Sequence, residues 1–140
     1  MGHPRIQWPM TDPDHPGSPD DVAPRDEQPT RIARPYCVFC NIVARKEPAN
    51  IIYEDDDVIV IQNILRWVPV MLLAMPKDHR TQLESWADMG HLARVASEVG
   101  RQLCPGGFRL VSNFGYDAMQ SQEHAHVHIL GGTFLGHYVG

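Results

Sequence analysis

The sequence predicts an α+β fold: a five-stranded, mostly antiparallel sheet with one short and one long helix. Three observations carry that prediction. Short apolar runs of strand length, rich in β-branched residues, are separated by turn signals. Only one long stretch, "SWADMGHLARVASEVGRQLCPGG", changes to a helical period. The order of elements is helix, three strands, helix, two strands, which is not the strand–helix alternation of a parallel sheet.

Taken in order, "YCVFCNIVARKE" reads as the short helix, ended by Pro48. "IIYEDDDVIVIQN" places an acidic turn, Asp55 to Asp57, between two apolar runs and reads as a hairpin. "VPVMLLAMP" reads as a buried strand closed by Pro76. Pro69 suits its first residue, because a central proline would remove a ladder hydrogen bond. In the long helix, Trp86, Met89, Leu92, Val95, Ala96, Val99 and Leu103 recur at steps of three and four and form one apolar face. Ser85 with Asp88 resembles an N-cap signal, and Pro105-Gly106-Gly107 stops the helix. Cys104 falls at an apolar-face spacing and belongs to the core. "FRLVSNF" alternates as a strand, and the turn-rich "GYDAMQSQE" leads into a final strand carrying "HAHVHIL".

The fold is expected over residues 36–140. Residues 1–35 hold eight of the twelve prolines, with acidic and few apolar residues, and read as a flexible arm. The net charge of −5 and the absence of a lysine–arginine block argue against duplex nucleic acid as a partner. The apolar stretch around "VPVMLLAM" is too short to span a bilayer. Polar sequence after Met1 predicts no secretory signal, hence a cytoplasmic protein. Three cysteines in that setting suit reduced thiols or a metal site better than a disulfide framework.

Alternation in a strand puts His124, His126 and His128 on one face and Ala125, Val127 and Ile129 on the other. Three readings fit. The histidines could simply face solvent. They could converge on a catalytic metal, imidazole being the commonest metal ligand. Or one imidazole could act as a nucleophile, its neighbours setting the tautomer and supplying a proton. Cys37 and Cys40 form a Cys-x-x-Cys pair that could share a zinc with two further ligands, or be reduced and inert.

Together, "CVFCNIV", "IIYEDDDVIVIQN", "LLAMPKDH", "VSNFG" and "QSQEHAHVHILGG" resemble the histidine triad family of nucleotide hydrolases and transferases. The family signature is His-φ-His-φ-His-φ-φ, with φ apolar. The chain is most similar to the small nucleoside phosphoramidase-like branch, whose dimers join two five-stranded sheets into one continuous ten-stranded sheet. The resemblance implies a homodimer acting on a purine nucleotide. His126 would attack the α-phosphorus and carry a covalent nucleotidyl group, which water then hydrolyses. The leaving group would be an amine, a nucleotide or a similar group.

The resemblance also implies roles for the other residues. His128 contacts phosphate. Gln120, Ser121 and Asn113 hold phosphate oxygens, Asn63 meets the ribose hydroxyls, and Ile42 and Ile61 enclose the base. His124 joins Cys37, Cys40 and His79 in a closed, structural zinc set, or else orients His126. Two departures from the family pattern stand out: Val70-Met71 replaces Gly-His, and Met119 replaces a glycine before the Gln-Ser pair. They leave a second function class open, a non-catalytic purine-nucleotide-binding regulatory module.

Overall fold

Alternation along the strands decides where the core sits. The computed structural model of the protein describes residues 36–137. The expected flexible arm, 1–35, lies outside the described residues. Five strands form one sheet in the order β1-β2-β3-β5-β4: β1 Ile51–Glu54, β2 Val58–Gln62, β3 Val70–Pro76, β4 Phe108–Val111 and β5 Val127–Gly131. Every neighbouring pair is antiparallel. Val58, Val60, Leu72, Ala74, Val127 and Ile129 bury one face of the sheet under a helix. The residues between them, Ile59, Ile61, Leu73 and Met75, bury the other face under Phe39 and Ile42. The middle strand β3 is therefore apolar at every position, because both faces are covered. Each fully buried aliphatic side chain contributes about 1.5–3 kcal/mol of transfer free energy.

The first helix, α1, is Val38–Val43. The Cys37 sulfur caps it by accepting from the Cys40 amide. It ends before the expected Pro48: Arg45 takes a left-handed conformation at φ 63°, which breaks the helical run. The hairpin is as expected. Asp55 Oδ1 accepts from the amides of Asp57 and Val58, each at 2.8 Å, so this side chain builds the turn. Its Oδ2 accepts from the Tyr53 hydroxyl and faces His91 Nε2, both at 2.7 Å. Partial burial pushes the Asp55 carboxyl upward, but these four contacts outweigh it and hold the group well below the usual carboxylate range.

The single long helix expected from Ser85 is two helices, α2 Gln82–Ala87 and α3 Gly90–Leu103. The N-terminal signal is Thr81, not Ser85. Thr81 Oγ1 accepts from the Glu84 amide at 3.2 Å, and Glu84 Oε1 accepts from the Thr81 amide at 2.8 Å, a complete capping box. The chain leaves helical geometry at Asp88, φ −140° and ψ 63°. The break turns Trp86 outward, and Leu103 also lies exposed at the far end of α3. The remaining apolar-face residues, Leu92, Val95, Ala96 and Val99, cover the sheet as expected, with Met89 packed beside them. Cys104 is buried.

Close packing of α3 on β4 depends on Gly100. A Cβ there would stand 2.5 Å from the Phe108 ring. Alanine is the better helix former by up to ~1 kcal/mol, but overpacking of this kind costs about 1–3 kcal/mol. Gly100→Ala is expected to lower the midpoint of denaturant unfolding. An unchanged or raised midpoint would show that the Phe108 ring yields freely.

Candidate active site and metal centre

The β5 ladder begins at Val127, later than the histidine run suggests, since Ala74 pairs with Val127 and Leu73 with His128. His124 and His126 lie just ahead of the paired strand. The alternation nevertheless holds. Phe39 of α1 meets the His124 ring at 5.6 Å and the His126 ring at 5.3 Å, and the His126 and His128 rings are 5.2 Å apart. The three imidazoles thus lie on the side of the sheet covered by α1.

His124 is almost fully buried. Its Nε2 lies 2.7 Å from the Pro76 carbonyl at the end of β3. A carbonyl can only accept, so Nε2 carries the proton and Nδ1 presents its lone pair. Nδ1 stands 3.5 Å from Cys37 Sγ and 3.6 Å from Cys40 Sγ, while His79 Nδ1 is 3.3 Å from Cys40 Sγ. All four ligand atoms lie within 4.8 Å of one another. In tetrahedral zinc sites, with Zn–S about 2.3 Å and Zn–N about 2.0–2.1 Å, sulfur and nitrogen ligands stand about 3.5 Å apart. The spacing, the His124 tautomer and the soft–borderline donor set all fit zinc. His79 Nε2 faces the Glu123 carboxylate at 3.5 Å, the kind of outer contact that orients a ligating imidazole. Four protein donors leave no position for a substrate, so such an ion would supply folding energy, tying α1 to β3 and to the approach to β5.

A second group, Asp55, Asp57 and His91, has ligand atoms equally close together. Asp55 already spends both oxygens on four partners, so this group reads as a tie between the hairpin and α3.

His126 is buried at 3% exposure. Its Nδ1 lies 2.8 Å from the His124 carbonyl. The same logic puts the proton on Nδ1 and leaves the Nε2 lone pair available. Burial pulls the His126 pKa down, only partly opposed by the bond to the His124 carbonyl. Burial also lowers His128, and the neighbouring His126 lowers it further. Both imidazoles therefore favour the neutral form at pH 7. They share the lining of a cavity of about 300 Å³ with Phe39, Ile42, Ile61, Asn63 and Ser121. The lining combines apolar side chains with the two imidazoles, amide side chains and the Ser121 hydroxyl.

The structure brings most of the sequence-derived residues to this cavity: Ile42, Ile61, Asn63, Ser121, His126 and His128 line it. Asn63 Oδ1 accepts from the Leu65 amide at 3.0 Å, which leaves its NH₂ group as the donor for a ligand. Asn113 and Gln120 are not in the lining. Gln120 braces the loop before the histidines, accepting from the Gly115 amide at 2.8 Å and donating to the Gln122 carbonyl at 2.9 Å. Met119, flagged as a replacement for glycine, has φ 62° and ψ 35°, a left-handed conformation that glycine adopts without strain. Met71, replacing histidine, is buried, and its sulfur faces the Trp67 amide at 3.5 Å.

Three residues escaped the reading of the sequence. Phe39 packs on two of the imidazoles. Ser112 Oγ donates to the His126 carbonyl at 3.1 Å, and Gln82 contacts the His126 backbone. The only signal in the sequence was Thr81-x-x-Glu84, which places Gln82 in the first turn of a helix.

Comparison with known proteins bears on the whole assembly. The family model described as the HIT domain matches residues 44–135. An uncharacterized HIT-like protein of Synechocystis is 41% identical over 101 residues, covering 68% of this chain and 89% of that protein. A HIT family hydrolase from Clostridium thermocellum superposes with a TM-score of 0.69 at 34% identity, over 76% of this chain and 98% of that one. A Zn-bound histidine triad family protein from Mycobacterium smegmatis superposes at 0.61 with 30% identity, over 71% and 77% of the two chains. The sheet order, the triad at the mouth of β5 and these matches lead to one conclusion: the chain belongs to the HIT domain family.

Proposed function

We propose that the protein is a nucleotide hydrolase that cleaves at the α-phosphate of a nucleoside monophosphate derivative through a nucleotidyl group on His126. The carrying observation is the His126 tautomer: Nδ1–H is committed to the His124 carbonyl, and the neutral ring offers Nε2 to the cavity. The hydrolase named in Clostridium thermocellum supports the reaction class. In the first step the Nε2 lone pair forms a bond to the α-phosphorus. The bond from phosphorus to the leaving group breaks, and the leaving group takes the bonding pair and a proton from water. In the second step water adds to phosphorus, losing a proton to the hydroxide left by the first step, and the P–N bond breaks. The nucleoside monophosphate is released and His126 returns to its neutral form.

His128, beside His126, and the Ser121 hydroxyl would donate to phosphate oxygens, as would the side chains of Asn113 and of Gln120, which also braces the loop before the histidines. Asn63 would donate its NH₂ to the ribose, and Ile42 and Ile61 would cover a purine. Incubation with an adenosine phosphoramidate, an alkaline denaturing quench and peptide mass spectrometry at neutral to alkaline pH should find one nucleotidyl group on the peptide carrying His126. Turnover with no trapped species, or one on another residue, would count against this route.

Met71 and the left-handed Met119 favour a second reading, a non-catalytic purine-nucleotide-binding regulatory module. It predicts saturable binding with neither transfer nor release. Structural zinc on Cys37, Cys40, His79 and His124 belongs to the proposal, supported by the donor spacing and the Zn-bound relative. So does a homodimer through β4, which pairs only with β5 among the described strands and can extend the sheet to ten strands. Light scattering at the mass of a single 15.8 kDa chain would refute the dimer. Cys37 and Cys40 held as metal-binding thiolates would suit a reducing compartment such as the cytoplasm. Among the described residues no helix is long and apolar enough to cross a membrane.

A further inference from the structure

Gln82 stands in the first turn of α2 with 4% exposure, a polar side chain in an otherwise shielded place. Its Nε2 donates to the His126 carbonyl at 3.1 Å and to the Asn113 carbonyl at 3.1 Å. Its Oε1 accepts from the His126 amide at 3.3 Å. Both amide hydrogens and one lone pair of the amide oxygen are therefore used. The contact to His126 has the form of a strand pairing: one N–H and one C=O of the same residue are matched by one acceptor and one donor.

That form matters at this position. Val127 is the first residue of β5 with a ladder partner, so the His126 backbone lies one residue beyond the sheet. Next to it the Ala125 amide donates to the Arg80 carbonyl at 2.7 Å, but the His126 backbone itself has no ladder partner. Gln82 supplies the missing partner, and Ser112 Oγ adds a second donor to the same carbonyl. The Asn113 contact extends the clamp to the start of the loop that leads, through Gln120, to Ser121.

We infer that Gln82 is a positioning residue for the reaction: its amide fixes the His126 backbone, and with it the line along which Nε2 meets phosphorus. The inference rests on the reading of His126 as the nucleophile. Gln82 need not touch the nucleotide, for it is absent from the cavity lining. Its loss should therefore slow the bond-forming step and leave ground-state binding intact. Misplacement of a reacting group by about 1 Å costs roughly 10²-fold in rate.

The test compares wild type, Gln82→Met and Gln82→Glu in the full chain, with Gly100→Ala as a destabilised control on the opposite face of the sheet. Methionine keeps length and removes both roles. Glutamate keeps the acceptor for the His126 amide and turns the donor into a carboxylate facing two carbonyls. Three quantities are measured with an adenosine phosphoramidate: the single-turnover rate of His126 nucleotidylation, KM, and the unfolding temperature. The expected result is a rate lower by about 10- to 100-fold in both Gln82 variants, with KM within about twofold of wild type. Gly100→Ala should keep the wild-type rate despite its lower unfolding temperature.

A wild-type rate in Gln82→Met, or a loss matched by Gly100→Ala, would overturn the inference while leaving the nucleophile in place. Failure of wild type itself to form the nucleotidyl-histidine would instead overturn the nucleophile and the inference with it. If neither Gln82 variant folds, Gln82 is a folding residue and the positioning role is likewise refuted.

Discussion

His126→Ala is expected to lower kcat by on the order of 10³-fold or more while nucleotide affinity changes little. The imidazole is the one group in the cavity with both a committed tautomer and an available lone pair. Most of the proposed binding surface, Phe39, Ile42, Ile61 and Asn63, is untouched by the substitution. Calorimetric titration with adenosine monophosphate and steady-state turnover of an adenosine phosphoramidate separate the two effects. Full residual turnover in a variant purified away from any wild-type enzyme would exclude His126 as the nucleophile. A parallel loss of affinity and rate would instead mean that His126 holds the ligand.

Cys40→Ser is expected to release zinc and lower stability more than it lowers activity. Cys40 Sγ faces both histidine ligands, so it is the sulfur whose loss most disrupts the set. A serine hydroxyl stays protonated at neutral pH and is a poor zinc ligand. A metal present at roughly a hundred times its dissociation constant adds about 2.7 kcal/mol to folding. For a domain of this size that corresponds to a fall of about 10 °C or more in unfolding temperature. Activity should follow indirectly, because the His124 carbonyl beside His126 Nδ1 belongs to a proposed ligand residue. Metal content and thermal unfolding, measured with and without added zinc, test this. A wild-type protein that takes up no zinc, together with a variant of undiminished stability, would refute the centre.

The reading of the sequence succeeded where local pattern is enough. Alternation in "HAHVHIL" separates imidazoles from apolar residues, and the β-branched run Val58 to Ile61 marks a strand covered on both faces. It failed where two local signals competed. Trp86 sits three residues before Met89 and Met89 three before Leu92, a spacing that suggests one helix, although the Thr81–Glu84 capping box marks a separate start. Apolar spacing records where a helix could bury a face; it does not record where the chain departs from helical torsions, as at Asp88.

By itself the sequence determined the strand and helix types, the face carrying the imidazoles, and the residues able to bind metal or attack phosphorus. Periodicity and side-chain chemistry are local properties, and they survive any folding of the chain. Only the tertiary structure decided which partners each imidazole meets. His124 is aimed by the Pro76 carbonyl, 48 positions away, and toward sulfurs 84 and 87 positions away. His126 is held by Gln82, 44 positions away. Such partners are chosen by strand order and helix docking, which bring distant segments together. The proton on each ring follows from whichever carbonyl that docking leaves beside it, and no spacing in the chain records that choice.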